Sequence, residues 1–459
     1  MLGLRNCRVT SKDWWETCSR TSVRALLILG VLGLPASRGS AADLSPVEQL
    51  GKQIFFDKNL SSPPGQACAS CHAPEVGFTG PDSAVNQQTG VYPGAAPGKF
   101  GNRKPPSAAY AAFSPKREYN SQDETWVGGQ FWDGRMDDLV AQAKGPFLNP
   151  LEMNNASAQE VVDKVRQSKY RALFETVYGA KALNEASADE VFDLIARAIT
   201  AYESSREVNA FSSKYDYYLV GRATLTPQEE RGLKLFGTKA NCANCHPHKP
   251  EPDGSAPLFT DFTYDNVGAP RNPQNPFYRA DGTVNPEGAK YRDLGLGAVL
   301  KDKSQFGKVK VPTLRNVAKK PHPQFVKSYL HNGVFKSLKD VVSFYNLRDK
   351  TPEAFDAPDV AENVNNEELG KLGLTDTEED DVVAFLETLS DGYVPPSSGN
   401  QTPDPRSNEP PTEAQDQFPA TAPPVASKDH FRAARDVFRV QRFRIGMNEA
   451  ARESQSRRR

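Results

Sequence analysis

The 459-residue sequence predicts a mostly α fold built on one small unit used twice. Three observations carry that expectation. The pentapeptide C-x-x-C-H occurs as Cys68-Ala69-Ser70-Cys71-His72 and again as Cys242-Ala243-Asn244-Cys245-His246. A matching helix start precedes each copy. Few runs alternate with period two, so no large sheet is expected.

The pentapeptide is the attachment signature of a c-type haem. Two thiols form thioethers with the vinyl groups of one porphyrin, and the adjacent His reaches the iron. A zinc site made from two C-x-x-C halves is the rival reading. A His directly after each second Cys favours haem. The expectation is two covalently bound haem c groups. Cys68 and Cys71 would hold one with His72 on its iron, and Cys242 and Cys245 the other with His246. Such a protein handles electrons.

The elements follow in order. Residues 1–42 read as an export signal. Arg20 and Arg24 precede the apolar run Ala25 to Leu34, and Ser40-Ala41-Ala42 is the expected cleavage site. Ten residues are too few to span a bilayer comfortably, although an uncleaved anchor is the alternative. Export places the protein in the periplasm, and haem c is attached outside the bacterial cytoplasm. Of the six Cys, Cys7 and Cys18 lie in the leader and the other four belong to the haem motifs, so no disulfide is expected.

The first helix starts at Ser45-Pro46-Val47-Glu48 and its counterpart at Thr226-Pro227-Gln228-Glu229. Each has Ser or Thr at N-cap, Pro at the first helical position and Glu as the partner in a capping box. Both continue in step, through Gly51 to Ile54-Phe55 and through Gly232 to Leu235-Phe236, which implies the same apolar face. This is a cytochrome c-like unit, used twice. Ser187 to Glu190 opens a further amphipathic helix carrying Val191, Leu194, Ile195 and Ala198. Thr375 to Glu378 opens another, with Val382, Val383, Phe385, Leu386 and Leu389 as its buried stripe. Long Pro- and Gly-rich loops lie between, such as 89–106 and 269–288. The expected domains are 43–215 and 216–392, with the active pocket between them. Residues 393–427 are Pro-rich and read as a linker. Residues 428–459 hold ten Lys/Arg against four Asp/Glu and read as a basic tail, either solvated or contacting an acidic partner or anionic lipid.

The segments between and after the motifs add a resemblance. Phe131-Trp132-Asp133-Gly134-Arg135, Leu139, Gln142-Ala143, Gly145-Pro146 and Asn149-Pro150-Leu151-Glu152-Met153 resemble the bacterial di-haem cytochrome c peroxidase and MauG family. So do Val311-Pro312-Thr313-Leu314-Arg315-Asn316-Val317 and His331-Asn332-Gly333. The resemblance covers residues 44 to 392. It implies reduction of hydrogen peroxide to water at the N-terminal haem, with electrons relayed by the C-terminal haem. It places Trp132 between the haems and Gln142 and Glu152 in the distal pocket of the peroxide haem. Splitting an O–O bond needs a group that takes a proton from one oxygen and returns it to the other. Glu152, after a Pro and between Leu151 and Met153, suits that role if burial raises its pKa. Without the resemblance, Glu152 would read as an exposed loop carboxylate and Trp132 as core.

The sixth ligands set the subclass. No His lies between His72 and His246, where many members of the family have a ligand to the resting peroxide haem. An open, five-coordinate peroxide haem is therefore expected. No Met lies between residues 154 and 446 to cap the second haem, and Met447 is in the tail. Alignment on His331-Asn332-Gly333 puts Tyr345 at the capping position, with a buried Phe344-Tyr345 pair as the alternative. His331 falls near this haem in the family pattern. His248 and His322 are expected to be exposed loop residues.

The resemblance also implies a calcium between the domains. Here Lys104 stands at the place of the calcium-binding Asn, Asn102 is displaced, and Val326-Lys327-Ser328 replaces the usual Thr-x-Pro. Calcium is therefore not a firm expectation.

The leading function is a periplasmic peroxidase taking electrons from a small donor, a cytochrome c or a copper protein. The first alternative is a MauG-like oxidase that modifies residues of a partner protein through high-valent iron. The second is a non-catalytic di-haem electron carrier. With a net charge of -1, no nucleic-acid partner is expected, and a homodimer is an open option.

Overall fold

Helices form where the capping residues place them. The computed structural model describes residues 44–396. Among these, seven helices have nine or more residues. They are α1 (Pro46–Phe55), α2 (Leu139–Leu148), α3 (Ala158–Arg166), α4 (Ala188–Glu203), α5 (Pro227–Phe236), α6 (Leu338–Leu347) and α7 (Asp376–Glu387). Sheet is confined to two antiparallel ribbons among the described residues. One pairs β1 (Glu118–Asn120) with β2 (Thr125–Val127), and the other pairs β3 (Tyr264–Asp265) with β4 (Val309–Lys310).

Four of these seven helices begin with a capping box. The backbone N–H of Ser45 donates to Glu48 at 2.7 Å, and that of Thr226 to Glu229 at 2.7 Å. Ser187 does the same to Glu190 at 2.8 Å, and Thr375 to Glu378 at 2.8 Å. Each cap satisfies a backbone donor that would otherwise have no helical partner, and is worth about 1 kcal/mol.

These four helices make two equivalent pairs. α1 packs on α4, and α5 packs on α7. The contact is backbone to backbone. A Cβ on Gly51 would lie 1.8 Å from the carbonyl oxygen of Ala198, and one on Gly232 would lie 1.9 Å from that of Asp381. Only glycine permits either crossing. The two faces differ slightly: Ile54 is 1% exposed, whereas Leu235 is only half-buried. The expected stripes of α4 and α7 are buried except Leu194 and Val383, which are half-buried.

Two hydrophobic cores result. One runs from Leu50 to Val208 in sequence and centres on α1, α3 and α4. The other runs from Tyr215 to Leu389 and centres on α5, α6 and α7. All described residues nonetheless fall in one compact unit by chain contacts. α3 was not foreseen. Its signals were Ser157 at N-cap and Val161, Val162 and Val165 facing inward.

The predicted signal segment, most of the Pro-rich stretch and the basic tail lie outside the described residues, as do Cys7, Cys18 and Met447. Among the described residues no helix is long and apolar enough to cross a membrane.

Candidate functional site: two C-x-x-C-H turns and the cavity beside the first

The two pentapeptides fold alike. Cys68–Ser70 and Cys242–Asn244 each form a 3-10 turn. The N–H of His72 donates to the Cys68 carbonyl at 2.9 Å, and that of His246 to the Cys242 carbonyl at 2.9 Å. This brings both thiols and the imidazole of each motif to one side of its turn. All four thiols are free. Burial pushes the Cys71 and Cys242 thiols up to about 12 and raises Cys68 and Cys245 further, so they stay protonated and available for thioether formation.

Each His is held the same way. His72 Nδ1 lies 3.1 Å from the carbonyl oxygen of Phe78, and His246 Nδ1 lies 2.7 Å from that of Phe259. A carbonyl can only accept, so Nδ1 carries the proton and Nε2 keeps its lone pair free for a metal. Burial lowers both imidazoles to about 4, which keeps them neutral. Phe78 and Phe259 both adopt left-handed backbone, with φ of 57° and 54°. That conformation is strained for a bulky residue by about 1–3 kcal/mol. It recurs at both sites because it aims the carbonyl at the ring. The donor set, the aimed rings and the adjoining cavity fit haem c.

A cavity of ≈ 280 Å³ opens beside the first motif. Cys68, Cys71 and His72 line it, as do Trp132, Gln142 and Glu152. The structure therefore brings the predicted distal residues to the first motif. Gln142 comes from α2, and Glu152 from the turn after it, where its N–H donates to the Asn149 carbonyl at 3.0 Å. Burial raises the Glu152 carboxyl above its ordinary value, although Arg135 and Asn149 pull against the rise.

Glu203 was not anticipated. It ends α4, is 6% exposed, lines the same cavity, and its Oε2 has no hydrogen-bond partner. Burial pushes its carboxyl up to about 8. The available signal was an acid four residues after Ile199, on the apolar stripe of an amphipathic helix.

Trp132 is 8% exposed and stands in the cavity wall. Its Nε1–H donates to the Lys104 carbonyl at 2.9 Å, and its ring meets His331 edge-on at 6.4 Å between centroids. His331 is buried, with Nε2 3.8 Å from Asp293. Beneath them lies a charge network that sequence reasoning missed. Arg103 binds Asp293 through two bonds of 2.6 Å and Asp133 through one of 2.7 Å. Burial alone would raise both carboxyls, but Arg103 holds them below the usual range.

At the second motif, Tyr345 sits on α6 with its phenol near Cys242 and Cys245. Burial pushes the phenol well up, so it ionises only where a cation draws off its proton. The Phe344-Tyr345 pair is split. Phe344 is fully buried against Phe335 and Phe355, while Tyr345 is half-buried. His322 is exposed as expected. His248 is not: it is half-buried with its ring edge-on to Phe236, because the Tyr215 hydroxyl ties its carbonyl to the core at 3.0 Å.

The residues present do not fit calcium. Lys104 puts an ammonium where the resemblance has an Asn, with Thr79 Oγ1 and the Pro105 carbonyl each at 3.1 Å. The side chain of Asn102 is turned to the Tyr291 hydroxyl at 3.2 Å. Among the described residues, the acid and thiol grouping of Cys245, Asp265 and Glu368 lies at the second motif instead.

Comparison with known proteins agrees. The family model described as di-haem cytochrome c peroxidase matches residues 45–224. The methylamine utilization protein MauG of Paracoccus denitrificans is 37% identical over 381 residues, spanning 79% of this chain and 94% of that protein. Cytochrome c551 peroxidase of Pseudomonas aeruginosa is 31% identical over 345 residues, spanning 74% of this chain and 78% of that protein. Among solved structures, the diheme peroxidase BthA of Burkholderia thailandensis matches with a TM-score of 0.65 at 35% identity, covering 76% of this chain and 87% of that one. Paired thiols, an aimed imidazole at each motif and these relatives lead to one conclusion: the chain belongs to the di-haem cytochrome c peroxidase family, an oxidoreductase family whose cofactor is haem c.

Proposed function

We propose that this chain is a periplasmic di-haem peroxidase that reduces hydrogen peroxide to water with electrons from a small redox protein. The observation that carries the reading is the cavity that joins His72 to Glu152, Gln142 and Trp132. Haem bound through Cys68 and Cys71, and through Cys242 and Cys245, would supply the redox chemistry of O–O cleavage. The reaction consumes two electrons and two protons per peroxide and yields two waters.

The residues have distinct tasks. His72, with its Nδ1–H held by Phe78, offers Nε2 in a fixed direction. Glu152 takes a proton from one peroxide oxygen and returns it to the leaving one, a task suited to its raised pKa. Gln142 orients the peroxide by hydrogen bonding. Trp132 lies on the route for electrons from the second motif to the first. Two separate cores, one per motif, support two cytochrome c-like domains near the boundary 215/216.

Tyr345 favours a second reading, a MauG-like oxidase acting on a partner protein, because its phenol lies beside Cys242 and Cys245. MauG of P. denitrificans is also more similar to this chain than the P. aeruginosa peroxidase is, at 37% against 31% identity. Steady-state turnover with peroxide and a reduced small cytochrome c tests the choice. Rapid, donor-dependent peroxide consumption is expected. Slow turnover in every donor, with a long-lived oxidised state, would favour the second reading.

A further inference from the structure

The cavity at the first motif carries an excess of positive charge. Six cationic side chains line it: Arg103, Lys104, Arg135, Lys310, Arg315 and Lys327. The arginines are paired. Arg103 and Arg135 bind Asp133, Arg103 also binds Asp293, and Arg315 binds Asp216. Among the described residues, none of the three lysines has a carboxylate within ion-pair distance. Burying an unpaired ammonium costs several kcal/mol. Lys327 is buried in the cavity wall, and Lys104 and Lys310 are half-buried there.

Lys327 is satisfied without one. Its ammonium donates to the carbonyls of Val76, Asn316 and Lys319 at 2.8, 2.8 and 3.0 Å. Lys104 and Lys310 are not. Lys104 has two partners, Thr79 Oγ1 and the Pro105 carbonyl. Lys310 also has two, Ser114 Oγ and the Gly129 carbonyl. An ammonium has three protons, so each keeps one donor unused.

Their position is informative. The main chains of Lys104 and Lys310 flank Trp132: the Trp132 Nε1–H donates to the Lys104 carbonyl at 2.9 Å, and the Lys310 N–H donates to the Trp132 carbonyl at 2.7 Å. The acids of the cavity, Glu152 and Glu203, lie instead where they act on the thiol edge at Cys68. A porphyrin tethered there through its vinyl groups would carry its two carboxylates on the edge away from the thiols. Those carboxylates would supply the anions that Lys104 and Lys310 lack.

Resting on the haem reading, we propose that Lys104 and Lys310 bind the propionates of the first haem and turn its acidic edge toward Trp132. The pairing neutralises both partners within the wall and fixes the rotation of the ring. It also sets the haem edge against the side chain that leads to the other motif, shortening the path for electrons.

The test uses the full-length holoprotein with Lys104→Gln and Lys310→Gln, and Lys→Arg at each position as the charge-preserving control. A pyridine haemochrome assay first counts haem per chain. Fewer than two in the wild type would overturn the haem reading itself, separately from the role of the lysines. Spectroelectrochemistry then gives the midpoint potential of each haem. Each Gln variant should keep two haems and shift the first haem to a more negative potential, since losing a nearby positive charge favours ferric iron. The Arg variants should stay near wild type. A wild-type potential in both Gln variants would overturn the proposal. If a Gln variant fails to accumulate, ¹⁵N-lysine NMR of the ferric wild type decides. Two slowly exchanging, paramagnetically shifted ammonium signals are expected, and their absence would refute the pairing.

Discussion

Replacing Glu152 with Gln isolates the proton step. Gln has nearly the same volume and can still hydrogen-bond, so the cavity and both C-x-x-C-H turns should survive. What it cannot do is carry a proton between the peroxide oxygens. General acid–base groups contribute a factor of about 10²–10⁴, or roughly 3–5 kcal/mol of barrier. The environment favours the upper half of that range. Burial raises the Glu152 carboxyl against the pull of Arg135 and Asn149, bringing it closer to the working pH than an exposed carboxyl would be. The assay is stopped-flow absorbance of the ferric protein mixed with peroxide, read as a second-order rate constant. The variant should be slower by about a thousandfold, with an unchanged haem count. The wild-type rate should also fall as pH drops through the raised Glu152 pKa, because the group must be ionised to accept the first proton. That acidic limb should vanish in the variant. A rate within threefold of wild type would refute the reasoning, and Glu203, buried in the same cavity, would become the next candidate.

Three further perturbations probe the frame around the site. Gly51→Ala forces a Cβ to within 1.8 Å of the Ala198 carbonyl oxygen, so α1 and α4 must separate; a loss of about 3 kcal/mol is expected in denaturant unfolding, with no such loss refuting the close packing. Asp293→Asn removes one of the two carboxylates around Arg103 and leaves a buried charge underpaired, at a cost of about 3–5 kcal/mol. Because Arg103 holds Asp293 below its ordinary pKa, the wild-type contribution is fully present above the ordinary carboxylate range and is lost as pH falls through the depressed value. Acid unfolding of the variant should show a correspondingly weaker pH dependence. Tyr345→Phe removes the phenol beside Cys242 and Cys245; if that phenol caps the second haem, the resting low-spin EPR signal should be replaced, and an unaltered spectrum would exclude the cap.

Local signals were legible because they need only neighbouring residues. A capping box spans four positions, and a C-x-x-C-H turn spans five. Both helix starts and both motifs could therefore be read directly, as could the stripes on α4 and α7. The equivalence of the two helix pairs was hidden, because Gly51 and Ala198 meet across more than a hundred residues of chain. Lys310 and Asp293 gave no sign of importance either, and Lys104 stood out only as the residue at the place of the calcium-binding Asn. A charged residue in a loop reads as solvated until folding removes the water around it.

The sequence by itself determined the chemistry of attachment: which thiols and which imidazoles, in two copies. Covalent chemistry at adjacent positions depends on spacing alone. Tertiary structure decided what surrounds each copy. It brought Glu152, Gln142 and Trp132 to the first motif and Tyr345 to the second, and it set the half-buried Lys104 and Lys310 beside Trp132 with no carboxylate in ion-pair distance. Those placements depend on packing between distant segments and on the loss of water, which no local pattern encodes.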